Sequence, residues 1–399
     1  MLESNVPARG QRSSTGPVIG IIGGGQLAKM LGTAAASLGV QVVVLSEHAD
    51  CPAAATCQRV IIGSSDDLGR LRELATQVDV VTLENEFVDA GLLRQLESEG
   101  FSVRPTARSM ELVQDKLIQK AALRSAGLAV PAFVDVPTRA ALDQAIVELG
   151  LPLVLKKRRN GYDGKGNTTL HTATDAQAAW EFLQGDVNTL FAEGFVNFSA
   201  ELAVMITRAL DGSSVIYPVV ETIQRHHICH VVKAPAQIPD ALAAQVRVLA
   251  QHAVETMQGV GSFGVELFYS STGNVVINEL APRVHNSGHY TIEGCVCSQF
   301  ENHVRAVLGW PLGSTALRSP AAVMINLLGI ERGSGYPQGI DRALQIDGAH
   351  LHVYGKNSSM PSRKMGHVTA LGGSLEDALQ KAQGAAALIR FGGSDNLIL

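Results

Sequence analysis

GVELFYSSTGNVVINELAPRVHNSGH, residues 264–289, holds two apolar runs, Gly264 to Tyr269 and Val275 to Leu280, on either side of Ser270, Ser271, Thr272, Gly273 and Asn274. Apolar runs flanking a cluster of turn residues predict a β-hairpin. A turn centred between Thr272 and Gly273 sets Glu266 directly opposite Glu279. Directly opposed side chains have Cβ atoms roughly 5 Å apart, and like charges there repel. A positive group is therefore expected between them. Simple alternation puts Phe268, Val275 and Ile277 on the face of the two glutamates, and Val265, Leu267, Val276 and Leu280 on the other. Two carboxylates on a largely apolar hairpin need compensation. An all-oxygen set completed by the Asn278 or Asn286 amide suits Mg²⁺ or Mn²⁺.

Outward from the hairpin, 399 residues at 46% hydrophobic and 17% charged give a globular chain of two or three domains. A net charge of −5 argues against a general nucleic-acid or membrane-surface binder and leaves small molecules as the expected partners. Cys51, Cys57, Cys229, Cys295 and Cys297 make neither a CxxC pair nor an even disulfide framework, which points to a reducing compartment. No apolar run reaches the roughly 20 residues of a membrane helix. The first residues lack the apolar core of a secretory signal and read as a disordered leader over 1–16. The expected location is cytoplasmic, or an organelle stroma if the leader is the remnant of a transit peptide.

A first domain is expected over 17–113. Val18 to Ile22 is a short apolar strand that runs into Gly23, Gly24, Gly25, Gln26, Leu27 and Ala28 and then a helical pattern to Leu38. This is the strand, glycine turn and helix of a nucleotide-binding βαβ unit. With Glu47 at the end of the next strand it suggests NAD, although the same turn at a helix N-terminus takes any anion. Apolar runs at Val60 to Ile62 and Val78 to Leu83 continue the alternation. The second ends in Glu84, Asn85 and Glu86, where acids line the usual ligand crevice.

In the second domain, expected over 114–315, Gln114 to Gly127 has helical spacing, and Lys116 and Lys120 lie one turn apart, within reach of one anion. The strand Leu151 to Leu155 delivers Lys156, Lys157, Arg158 and Arg159 into Asn160-Gly161-Tyr162-Asp163-Gly164-Lys165-Gly166-Asn167. Three glycines among basic residues let backbone N–H groups approach polyphosphate. Thr189 to Val196 is a strand carrying Glu193, Gly194, Phe195 and Val196, with Glu201 opening the next, which suits an adenosine. A third segment, expected over 316–399, carries strands at Ala321 to Leu328 and Ala349 to Tyr354 and a helix from Leu375 to Arg390. Lys356, Arg363 and Lys364 lie beside the second strand as candidate ligands of a phosphate dianion.

The order of Lys116, Lys156, the 161–167 loop, Glu193 to Val196, Glu201, Glu266 and Glu279 resembles that of the ATP-grasp ligases. GGGQLAKML at 23–31, GYDGKGN at 161–167, NELAPRVHNSGH at 278–289, YGK at 354–356 and RKMGH at 363–367 are similar, within that group, to the 5-carboxyaminoimidazole ribonucleotide synthase family. The resemblance runs from about 17 to 395. It implies an ATP-grasp fold, α/β and α+β, with an N-terminal Rossmann-like (pre-ATP-grasp) domain, a mobile lid over about 128–198 and a small β-rich C-terminal domain. It implies ATP- and bicarbonate-dependent carboxylation of the exocyclic amine of aminoimidazole ribonucleotide through carboxyphosphate, in purine biosynthesis. A homodimer and a link to the mutase of the next purine step are implied too.

Carried onto this chain, the resemblance gives Lys116, Lys156 and the loop Gly161, Gly164, Lys165, Gly166 and Asn167 to the ATP phosphates, with Asn278 beside them. Glu193, Gly194, Phe195 and Val196 would hold adenine, Glu201 the ribose, and Glu266 and Glu279 two Mg²⁺ ions. Gly25, Gln26, Glu84, Tyr162, Arg283, Asn286, Lys356, Arg363 and Lys364 would hold the ribonucleotide. Asp163, Tyr162, Arg283, Asn286 and Lys356 are the candidates for catalysis, Asp163 as base or orienting group. In one departure, Gln224 stands where many members carry a nucleotide-side histidine, and His226 and His227 follow it. Rival readings are a formate-dependent glycinamide ribonucleotide ligase, a non-catalytic nucleotide sensor, and an NAD-dependent oxidoreductase, which leaves the opposed glutamates idle.

Overall fold

Residues 16–161 and 166–392 are described by the structure, a computed structural model. Val18–Ile22, apolar on both faces, becomes β1 of a four-stranded sheet with β2 (Gln41–Ser46), β3 (Arg59–Ile62) and β4 (Val80–Leu83), in the order β3-β2-β1-β4. All its pairings are parallel, as suits strands joined by helices and covered on both sides. Leu71, Leu74, Leu93 and Leu96 cover one face. On the other, Leu27 and Leu31 of the helix Gln26–Ser37 meet Phe300, Val304 and Val307 of the helix Gln299–Leu308, with Tyr354 from the C-terminal segment. One apolar cluster thus draws on all three expected domains.

The expected lid has its own sheet. Strands β5 (Phe133–Val136), β6 (Leu153–Lys157), β7 (Asn167–Leu170) and β8 (Leu190–Gly194) pair antiparallel in the order β5-β8-β6-β7. Leu142, Leu155, Trp180 and Leu190 belong to a core of its own.

The rest is one large sheet. Its strands are β9 (Phe198–Arg208), β10 (Ser214–Ile216), β11 (Val220–Arg225), β12 (Ile228–Ala234), β13 (Gly261–Ser270), β14 (Val275–Ala281) and β15 (Ala321–Leu328), followed, after the short β16 (Gly333–Ser334), by β17 (Ala349–Val353) and, after the short β18 (Ser358–Ser359), by β19 (Lys364–Gly372). They run β14-β13-β9-β11-β12-β15-β19-β17, with β10 on β9. The segment expected as a separate third domain extends the central sheet, β15 pairing antiparallel with β12. Two-residue β16 and β18 pair with each other. The helices Asp240–Met257 and Lys116–Ser125 lie over β9, β13 and β14, closing a core around Val204, Val246, Val265 and Leu123. Asp115 caps the latter helix, accepting from Leu117 N at 3.0 Å and Ile118 N at 3.3 Å. The helix expected from Gln114 therefore begins at Lys116, behind a separate helix Ala107–Gln114.

The hairpin forms, and Glu266 pairs with Glu279 as the turn geometry requires. Simple alternation fails beyond that pair. Leu267 pairs with Ile277, leaving Asn278 as a bulged residue, and one inserted residue reverses the facing of everything on its far side. Val275 and Ile277 therefore enter the core with Val265, Leu267 and Leu280. The partly exposed Phe268 and Val276 pair beside the glutamates instead. Phe268 stacks on Phe198 with ring centroids 4.8 Å apart. One face of the hairpin is core and the other is open to a cleft.

All five cysteines are free. Among the described residues, no helix is long and apolar enough to cross a membrane.

His303, buried in the helix Gln299–Leu308, ties the first sheet to the large one. Ser262 N donates to its Nδ1 at 3.0 Å, so the ring proton is on Nε2, which lies 2.8 Å from Thr82 Oγ1. Burial lowers its pKa to about 4 from an ordinary 6.5. The unfolded chain therefore takes up that proton first, and stability is lost as pH falls from 6.5 towards 4, at no more than about 1.4 kcal/mol per pH unit for this ring. Urea midpoints measured between pH 7 and pH 4 are expected to show this loss. His303→Gln, less stable at neutral pH, should give a shallower slope; equal slopes would assign the acid sensitivity to other groups.

Candidate active site

Gly23 has φ +104, a conformation natural to glycine, and the turn it begins aims the N-terminus of the helix Gln26–Ser37 at Glu84. The Glu84 carboxylate accepts from Gly25 N at 2.5 Å and Leu27 N at 3.3 Å. A Cβ on Gly25 would lie 2.1 Å from Glu84 Oε1. The anion site that the glycine pattern offers to a dinucleotide phosphate is filled by the protein's own carboxylate, which removes the basis of the NAD alternative. Burial raises the pKa of Glu84, opposed by these N–H groups and by the charges of Arg283 and Lys356.

Glu86 is more than a solvated loop acid. Arg283 donates to it through Nε at 2.5 Å and Nη2 at 3.0 Å. Despite burial, this fork holds the Glu86 carboxyl below its ordinary range. Lys356 Nζ donates to Lys364 O at 2.7 Å, and Lys29 Nζ donates to Val353 O at 2.9 Å and Tyr354 O at 3.3 Å, pinning the loop that carries Lys356 to the first domain. Arg363 Nη1 donates to Ser358 O at 2.8 Å, within the segment that joins β18 to β19. The Asn286 and Asn326 amides bond reciprocally, at 2.6 and 3.0 Å, so Asn286 faces β15.

Between Glu266 and Glu279 the expected positive group is Lys116, whose ammonium pairs with Glu279. Although burial works against ionisation, Lys116 and Lys156 hold Glu279 well below the ordinary carboxylate range. Glu266 is pushed up, by burial and by the charges of Glu279 and Glu201. Asn278 Nδ2 lies 3.5 Å from Glu266 Oε2 and His285 Nε2 3.6 Å from Glu266 Oε1. Burial, with Arg283 and Lys364 nearby, lowers the His285 pKa to about 4, so the ring is neutral. Of the two amides considered for a cation, Asn278 is the one beside the carboxylates. Glu201 stands on β9 opposite Phe268, half-buried, with Gln224 bonded to its carboxyl.

Lys116 and Lys120 do not share an anion. Lys120 is 2% exposed and pairs with Glu193 Oε1 at 2.6 Å, while Lys156 takes Glu193 Oε2 and lies 3.4 Å from Asn278 Oδ1. Burial brings the Lys120 pKa down to about 8. The Glu193 side chain is thus committed to two lysines, while Gly194, Phe195 and Val196 after it stay partly or fully exposed. Arg158 forks onto Asp115 at 2.8 Å and reaches Asp135 at 3.3 Å, joining the lid sheet to the helix cap.

One cleft is lined by Glu86, Lys116, Asn160, Gly161 and Glu279. Gly161 and Gly166 meet closely, a Cβ on Gly166 lying 2.4 Å from Gly161 Cα, and Asn167 pairs with Lys156 across β6 and β7. Tyr162, Asp163, Gly164 and Lys165 lie outside the described residues. Lys29 and His285 were not singled out, and Lys120 and Glu86 were noted only as an anion-reaching lysine and a crevice acid, without a ligand or partner. Helical spacing showed Lys120 but not its burial, and Glu86 looks like any loop acid until Arg283 is placed beside it.

Residues 17–114 match the ribonucleotide synthetase preATP-grasp domain, 121–300 the ATP-grasp domain, and 322–381 the phosphoribosylaminoimidazole carboxylase C-terminal domain. With the lysines and paired carboxylates in place, the protein is an ATP-grasp ligase and uses ATP. The chain is 42% identical, over 92% of its own length and 92% of the relative's, to the N5-carboxyaminoimidazole ribonucleotide synthase of Synechococcus elongatus. It matches the crystal structure of the synthetase from Thermotoga maritima with a TM-score of 0.85 at 38% identity, covering 95% of this chain and 100% of that one. It matches the Aspergillus clavatus synthase, solved in complex with ADP and 5-aminoimidazole ribonucleotide, with a TM-score of 0.85 at 34% identity, over 94% and 98%. The chain belongs to the N5-carboxyaminoimidazole ribonucleotide synthase family.

If the Glu193 carboxylate is structural, removing it strands a buried ammonium. Glu193→Leu is expected to cost about 3–5 kcal/mol in urea unfolding, and adding Lys120→Met should restore a good part of it. Additive losses would mean that the pair is not coupled.

Proposed function

We propose that the cleft joins bicarbonate to the exocyclic amine of aminoimidazole ribonucleotide at the expense of ATP. The observation that carries this is the convergence of Glu84 and Glu86 from the first domain, Arg283 and the Glu266/Glu279 pair from the second, and Lys356 from the third. Lys116 and Lys156 would hold the phosphates, and Glu201 the ribose. The adenine would lie along Glu193 to Val196, against main chain, since the Glu193 side chain is occupied.

Bicarbonate oxygen attacks the γ-phosphorus, the bond to ADP breaks, and carboxyphosphate forms. The amine then attacks its carboxyl carbon, phosphate leaves and the amine gives up a proton. Such transfer needs positioning and charge neutralisation more than a protein nucleophile. Glu84 and Lys356 would fix the ribonucleotide, and Arg283, oriented by Glu86, would face the carboxylate being transferred. Carboxyphosphate is lost to water in an open site, so the β5–β8 sheet is assigned the role of a lid that shuts on it. Two opposed carboxylates beside the Asn278 amide fit a hard divalent cation whose other ligands are phosphate oxygens. Mg²⁺ bound there would neutralise charge on the transferring phosphoryl group.

ADP release with ATP, Mg²⁺ and bicarbonate should be strongly stimulated by aminoimidazole ribonucleotide and not by glycinamide ribonucleotide with formate. Absence of stimulation would leave ATP use and require another amine. Lys356→Ala should raise the KM for the ribonucleotide far more than that for ATP; equal effects would move Lys356 out of the ribonucleotide site.

A further inference from the structure

We propose that Lys116 is the internal counter-ion of the Glu266/Glu279 pair when no nucleotide is bound, and that its transfer to a nucleotide phosphate opens the pair to a divalent cation. This rests on the metal reading of the two carboxylates given above.

The two glutamates are direct cross-strand partners, an arrangement that repels without a cation. In the structure that cation is the Lys116 ammonium, seated on Glu279. Of the other ammonium groups near the pair, Lys156 is held by Glu193, and Lys364 acts on Glu266 from the third segment. The Lys116 backbone is fixed. Its N–H donates to Arg158 O at 2.8 Å, and the preceding Asp115 is clamped by Arg158. Only the side chain is free to change partner.

A metal ion arriving alone must displace this ammonium from Glu279 and leave it to Glu266, itself claimed by the metal, and to Glu86, already paired with Arg283. When nucleotide is present, phosphate oxygens accept the ammonium and also complete the metal's ligands. Lys116 thereby makes metal and nucleotide favour each other's binding, and the coupling is reciprocal by thermodynamic necessity. The helix position that the family resemblance gives to phosphate binding acquires a second duty: it guards the carboxylates until phosphate is present.

Mn²⁺ binding to the full chain, followed by electron paramagnetic resonance with and without a non-hydrolysable ATP analogue and corrected for metal–nucleotide complex in solution, tests this. Lys116→Met is expected to tighten nucleotide-free Mn²⁺ binding about tenfold and to shrink the enhancement by the analogue by the same factor. Lys116→Arg, which keeps the charge, should leave nucleotide-free binding weak. Should Lys116→Met fail to fold in a thermal melt, Lys116→Gln carries the same expectation. Unchanged or weaker nucleotide-free binding in the neutral variant overturns the proposal. The double variant Glu266→Gln/Glu279→Gln reports separately: undiminished Mn²⁺ binding with the analogue present would refute the metal reading itself.

Discussion

Two glutamates facing each other on neighbouring strands are held in register by the whole hairpin, and they repel unless positive charge stands close by. Much of the structure around them can be understood as supplying that charge. The helix Lys116–Ser125 is capped by Asp115 and latched by Arg158, so its first residue points at Glu279. One turn later Lys120 is buried against Glu193, and Glu193 in turn holds Lys156 near Asn278. Acids and lysines alternate through the cleft, and each lowers the cost of burying the next. A buried pair of this kind is weak evidence for stability, but it fixes where charges lie before a polyphosphate arrives.

The first domain uses the same economy of internal charge in the opposite sense. A glycine turn and helix N-terminus is a ready anion site, and here Glu84 fills it from the adjacent strand. A motif that elsewhere presents a phosphate site instead orients a carboxylate at the edge of the cleft. Glu86, two residues on, is turned to the same cleft and orients Arg283. The C-terminal strands, by extending the central sheet, bring Lys356 close enough for its charge to act on Glu84, and Lys29 ties down the loop that carries it.

Much of the architecture was legible because it rests on local rules. The parallel unit from Val18, the hairpin from Gly264 to Leu280 with its opposed glutamates, the strand Ala321–Leu328 and the helix from Leu375 all follow from apolar periodicity and turn residues. What was misplaced has a physical cause in each case. The bulge at Asn278 is one residue that periodicity cannot register, yet it exchanges Val275 and Ile277 with Val276 between core and cleft. The helix predicted from Gln114 is really two, because Asp115 competes for the backbone as a cap.

The sequence by itself therefore determined the elements, the opposed carboxylates and, through its resemblance, the family, since these depend on neighbours along the chain and on motifs that survive as strings. Which ammonium serves which acid was decided only by the tertiary structure. Lys116 and Lys120 are equivalent on a helical wheel, and only the packing of that helix between the hairpin and the lid sheet sends one to Glu279 and the other to Glu193. Glu84 and Glu86 likewise read alike until the fold sets one on a helix N-terminus and the other on Arg283. Electrostatic pairing acts between residues far apart in sequence, and its strength depends on burial, which no local pattern specifies.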